Sequence, residues 1–138
     1  MSYQAWVAPA AKSKFVKQNI DLGPLGAEDV EVAVEHCGVC HSDLSVLNND
    51  WGFSSYPAVL GHEAVGTVTA VGAMAKGIVV GQRVGVGWNS SSCMHCRQCM
   101  SGDQHLCDRH NRRSSATAAG SPRTSARIGR GPCLCPTA

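Results

Sequence analysis

A chain of 138 residues with 43% hydrophobic and 16% charged residues has room for one domain of ordinary size, and its composition excludes both a disordered chain and one built of membrane spans. No apolar stretch approaches the ~20 residues of a spanning helix, and residues 1–15 mix Tyr3, Gln4, Pro9, Lys12 and Lys14 with apolar side chains. Neither a membrane partner nor a secretory leader is expected, and the expected compartment is the cytoplasm.

Read in chain order, Ala5, Trp6 and Val7 form a first short strand candidate, followed by turns at Gly23-Pro24 and Gly26. Residues 30–35 alternate apolar and polar side chains, the period of a strand with one buried face. A helix is predicted from Ser42 to about Leu47, with Ser42 as its cap and Leu44 and Leu47 facing inward. Residues 64–71 are a second long strand, Gly72 and Gly77 end it, and residues 83–86 are a third after Gly81. Short strands joined by glycine turns point to a small, mainly β barrel.

The net charge of +2 hides a division. Residues 1–108 hold six basic and ten acidic side chains, whereas residues 109–138 hold six arginines and no acid. That tail has only Ile128 and Leu134 as large aliphatic residues, too little apolar surface to offset chain entropy, so a disordered tail is expected. No aromatic residue is interleaved with its arginines, and no nucleic-acid partner is expected.

Eight cysteines, spaced in twos with histidines nearby in a chain expected to stay in the cytoplasm, point to metal rather than to disulfides. Cys93, Cys96, Cys99 and Cys107 lie within fifteen residues. Two-residue gaps let successive thiolates turn onto one ion, and the longer gap through Ser101, Gly102 and Asp103 lets the chain close the cage. Four sulfur ligands suit zinc and leave no open position, so this site is expected to be structural and to fold its own lobe. A second constellation is split: Cys37 and Cys40, followed by His41, Ser42 and Asp43, come after the first long strand, and Gly61, His62 and Glu63 precede the second. One Cys, one His and a neighbouring carboxylate form an incomplete zinc shell of the kind that keeps a position for water or substrate.

With these motifs the chain resembles the N-terminal catalytic domain of the zinc-dependent alcohol dehydrogenases of the medium-chain dehydrogenase/reductase superfamily, nearest the cinnamyl-alcohol-dehydrogenase-like branch. The family's Gly-His-Glu pattern and its two following glycines are met by Gly61, His62, Glu63, Gly66 and Gly72, and its structural-zinc spacing by the four cysteines. The resemblance covers about residues 3–108. It implies a GroES-like, partly open β-barrel over residues 1–108 with a structural zinc lobe at 88–108. It implies a catalytic zinc on Cys40 and His62, with Glu63 as an alternate ligand and Cys37 as a bystander. Ser42 would bond the substrate oxygen and start a proton relay, Asp43 would support the ligands, and His41 would meet the cofactor. Trp51 and Trp88 would be walls of the substrate pocket, with packing inside the barrel as the alternative for each. The implied reaction is hydride transfer between a small alcohol or aldehyde and NADP or NAD, in a family whose full-length members form homodimers.

No counterpart of the family's Rossmann domain is expected in these 138 residues: Gly85-Val86-Gly87 starts like a dinucleotide-binding turn, but Ser90 stands where its third glycine should be. Gln82 stands where the family often has Asp, a change expected to touch only a local turn. Residues 112–122, written back into GC-rich codons and read in another frame, give a glycine-rich stretch ending in Phe-Ala that resembles the family's continuation. The tail is therefore expected to be the frameshifted end of a truncated product, and the isolated chain to be inactive. The competing reading is a zinc-stabilised binding or structural module whose basic tail contacts nucleic acid.

Overall fold

The computed structural model describes residues 2–108, 111–112 and 126–129, and within them β-strands predominate. Strands β1 (Ser2–Val7) and β2 (Val16–Asp21) form an antiparallel hairpin in the register Ser2↔Asp21 to Val7↔Val16. Strand β3 (Val30–Gly38) leads into helix α1 (His41–Asn48), and β4 (Glu63–Val71) returns antiparallel to β3. Strand β5 (Arg83–Val86) pairs with β4. Beyond it come β6 (Asn89–Ser91), the short helix α2 (Arg97–Met100), a single 3-10 turn at Gln104–Leu106, β7 (Asn111–Arg112) and β8 (Ala126–Gly129). The sheets have the orders β1-β2, β5-β4-β3-β8 and β6-β7. Among the described residues these are open sheets, and none closes on itself.

The alternation in β3 and β4 decides which face is buried. Val30, Val32 and Val34 of β3, with Ala64 and Val68 of β4, point to the covered side. Val30, Val32 and Val68 form one core cluster, capped by Val71, Ala75, Ile78, Val84 and Val86. Gly66 lies on the same face, where a Cβ would collide with the Ala33 carbonyl, and a Cβ on Gly72 would collide with the carbonyls of Gly26 and Ala27. Close strand approach, not a left-handed backbone, is what these two motif glycines provide.

Helix α1 corrects the sequence reading in two respects. Its cap is Cys40, one residue outside the helix, and not Ser42: the Cys40 side chain accepts from the Ser42 N–H, while Asp43 Oδ2 accepts from the Cys40 N–H at 2.9 Å, a capping box built on sulfur. Leu44 is 47% exposed, and the buried residues are Asp43, Ser45 and Val46. The helix turns its Asp43 face inward because that carboxylate has three polar partners there, described below. At the other end Asn49 takes the left-handed conformation, and the Tyr56 hydroxyl donates to the Val46 and Leu47 carbonyls at 2.6 and 2.8 Å.

Four strands, β2, β6, β7 and β8, lie where the sequence predicts none. β2 reads Val-Lys-Gln-Asn-Ile-Asp and is mostly exposed, held to β1 by its backbone ladder. In the tail, Ala126–Gly129 pairs parallel with β3, from Val30↔Ala126 to Ala33↔Gly129. Such pairing at a sheet edge needs no apolar side chain, so composition is silent about it. The remaining tail, with Cys133, Cys135 and most of residues 112–122, lies outside the described residues. Gln82 behaves as a local turn residue: its side chain accepts from the Val79 N–H at 3.2 Å. No helix among the described residues is long and apolar enough to cross a membrane.

Candidate metal centres

The ladder between β3 and β4 brings the split constellation together. Gly38, the last residue of β3, pairs with Glu63, the first of β4. Cys40 lies two residues beyond one end of this pair and His62 one residue before the other, so residues 22 apart in sequence meet at one edge of the sheet. Gly61 supplies the turn into it, with φ of 110°. Cys40 Sγ and His62 Nε2 are 3.1 Å apart, and Glu63 Oε1 is 3.9 Å from the same nitrogen. The Cys40, His62 and Glu63 donor atoms all lie within 4.8 Å of one another.

Asp43 ties this group together. Its carboxylate accepts from the Cys40 N–H and from the Gly61 N–H at 3.0 Å, and its Oδ1 stands 3.1 Å from His62 Nδ1. With the Nδ1–H donating to Asp43, the lone pair of the neutral ring is on Nε2, aimed at the Cys40 sulfur. His62 and Asp43 are buried, Cys40 is half-buried, and the Glu63 side chain is half exposed. A tetrahedral ion at ordinary bond lengths would hold a Cys sulfur and a His nitrogen roughly 3.6 Å apart. The observed pair is close enough to share one, and the soft thiolate, the imidazole and the carboxylate suit zinc.

A cavity of about 580 Å3 opens beside His62, lined by Ser42, Trp51, Phe53, His62 and Trp88. Trp51 stacks on Phe53 at 5.5 Å and meets Trp88 edge-on at 6.1 Å, and Trp88 meets the His62 ring edge-on at 4.6 Å. Both tryptophans therefore line this space. Trp88 also packs against the cluster of Val46, Ala58 and Leu60. Phe53 escaped the sequence reading, although Trp51-Gly52-Phe53 is an aromatic pair around a glycine whose φ is 75°. His41 is exposed at the first position of α1 and is not among the residues that line the cavity. Cys37 is half-buried on β3, outside the three-donor group.

The second group is compact and separate. The sulfurs of Cys93, Cys96, Cys99 and Cys107 lie within 4.8 Å of one another, with Cys93 to Cys99 at 3.9 Å and Cys96 to Cys99 at 3.4 Å. Tetrahedral zinc would set such separations near about 3.8 Å. Among the described residues these sulfurs are also the lobe's one core cluster. Backbone N–H groups point at them, as Cys96 N to Cys93 Sγ at 3.3 Å and Cys93 N to Cys107 Sγ at 3.4 Å. The N–H of His95 pulls the Cys93 thiol down; desolvation opposes it, and with the Cys96 N–H and the neighbouring thiols the result is about 6. At Cys96 the Cys99 N–H acts downward but is outweighed by desolvation and by protons shared with Cys99, Cys93 and Cys107, which leave it at about 11. His95 turns its Nδ1 to the Cys93 carbonyl at 2.6 Å and adds no fifth ligand.

Known proteins are similar to this chain in sequence and in fold. The aldehyde reductase AdhA of Synechocystis sp. is 51% identical over 104 residues, covering 75% of this chain and 31% of that protein. A cinnamyl alcohol dehydrogenase of Sorghum bicolor superposes with a TM-score of 0.79 at 33% identity, over 92% of this chain and 36% of its own. A thermostable alcohol dehydrogenase of Pyrobaculum aerophilum, bound to cobalt and zinc, superposes with a TM-score of 0.66 at 25% identity, over 78% of this chain and 33% of its own. The chain thus spans about a third of the length of these relatives. Residues 26–130 match the alcohol dehydrogenase GroES-like domain, and on that match the chain belongs to this family.

Proposed function

We propose that residues 1–108 are the metal-holding catalytic unit of an alcohol or aldehyde oxidoreductase acting in the cytoplasm, with NADP or NAD as its hydride partner. The observation that carries this reading is the convergence of Cys40, His62 and Glu63 on one point beside an aromatic-lined cavity. A zinc ion on these three residues would supply Lewis-acid polarisation of a substrate oxygen, the step that readies a carbon for hydride transfer. The chain's own residues have separate roles. Cys40 and His62 hold the metal, with Glu63 within reach as a third or alternate donor. Asp43 fixes the imidazole tautomer. Ser42 places a hydroxyl in the cavity wall, where it binds the substrate oxygen and passes its proton outward. The rings of Trp51, Phe53 and Trp88 exclude water and accept an apolar substrate body. His41 contacts the cofactor from outside the cavity. Cys93, Cys96, Cys99 and Cys107 hold a structural zinc that takes no part in the chemistry.

Metal analysis of the purified 138-residue chain tests the assignment. Two zinc ions per chain are expected, falling to one in Cys40→Ser and in His62→Ala while the lobe keeps its own. Retention of both ions in either variant would overturn it. Oxidation of NADPH or NADH is then followed with a panel of aldehydes, in this chain and in the product of the restored reading frame. Turnover that survives Cys40→Ser would refute the catalytic role.

A further inference from the structure

We infer that Trp88 is a positioning residue for the metal ligand His62, setting its ring and its distance from Cys40, beyond serving as a cavity wall; this rests on the reading of Cys40, His62 and Glu63 as a metal site. The Cβ–Cγ bond and the hydrogen bond from Nδ1 to Asp43 hold the imidazole at two points but leave it room to tilt, because the angle of a hydrogen bond is soft. The Trp88 indole removes this freedom, standing edge-on at 4.6 Å and 89°. At that spacing the two rings form a favourable perpendicular contact, and rotation of the imidazole would drive one ring into the other.

Trp88 is itself held. Trp51 meets it edge-on at 84°, and on another side it packs on Val46, Ala58 and Leu60. Val46 belongs to α1, whose cap is Cys40, and Leu60 lies two residues before His62. One indole therefore bears on both chain segments that present the ligands, from a third segment between β5 and β6. The same ring faces the cavity, so the ligand geometry and the shape of the binding space share one side chain.

Zinc and cobalt(II) titrations of the full chain, with the lobe already loaded with zinc, test this. In Trp88→Leu the second ion should bind about tenfold more weakly, at the low end of what supporting groups around a ligand contribute, and the cobalt absorption bands should shift. Trp88→Phe, which keeps a ring, should lie within about threefold of the parent. Unchanged affinity and an unchanged cobalt spectrum in Trp88→Leu would overturn the inference, as would equal losses in Trp88→Leu and Trp88→Phe. Should Trp88→Leu fail to fold, the parent chain still decides: the His62 ring protons should be displaced from their ordinary NMR shifts by the indole ring current, and ordinary shifts would overturn the inference. Absence of any second ion lost on Cys40→Ser would instead bring down the metal site itself, an outcome distinct from the others.

Discussion

Asp43 shows how much one side chain carries at the first centre. Its carboxylate meets the Cys40 N–H, the Gly61 N–H and His62 Nδ1 at once. Asp43→Asn keeps the size but loses the charge and one acceptor, and is expected to weaken the second zinc ion about 10–100-fold, measured by competition with a chromophoric chelator. At the lobe the prediction concerns pH. Ligand sulfurs must be deprotonated, and Cys93 is depressed to about 6 whereas Cys96 is raised to about 11. At pH 7 zinc therefore displaces a proton from Cys96 but finds Cys93 already ionised. Lobe affinity should rise with pH up to about 11, and its fall on acidification should steepen below about pH 6, where Cys93 also takes up a proton. A slope unchanged through pH 6 would show that Cys93 is not pre-ionised. Residues of this kind were legible in the sequence because ligand chemistry restricts type and spacing. Phe53 was not, since its place follows from which partners the fold brings near, and of the two leucines expected to face inward Leu47 packs on the core while Leu44 is exposed.

At the scale of elements, the β3–β4 pair is both the best-read part of the chain and the frame of the first centre. Its alternating valines announce a half-buried sheet, and its motif glycines mark where backbones touch. Gly66→Ala sets a methyl against the Ala33 carbonyl and the Val32 side chain, with backbone on one side that cannot yield cheaply. A loss of about 1–3 kcal/mol is expected, measured by urea denaturation. Because Gly66 lies opposite Val34 in the ladder, the same substitution should also weaken the second metal ion by displacing the strand end that leads to it. Two of the four strands that escaped the sequence reading, β2 and β8, share one property. Their pairing rests on backbone hydrogen bonds at an edge, so neither burial nor periodicity marks them in the amino-acid order.

At the scale of the molecule, burial among the described residues is divided among three small clusters rather than gathered into one core. Only the first two contain aliphatic side chains; the third is sulfur alone, so the lobe has no apolar reserve when its ion is removed. Chelation is expected to speed amide hydrogen exchange across residues 92–107 while residues 30–34 and 64–68 keep their protection, as mass spectrometry would show. Equal acceleration in both regions would mean that the lobe and the sheet form one cooperative unit. The register of β3 against β4 has a further consequence. Irregularities between Glu31 and Val32 and between Val34 and His36 set the offset that ends in Gly38 opposite Glu63. A one-residue insertion or deletion between Val34 and Cys40 would leave every donor in the chain yet carry the thiol out of reach of the imidazole. In this protein, spacing along two neighbouring strands should tolerate less tampering than most side-chain identities, and engineered length changes belong in its exposed turns.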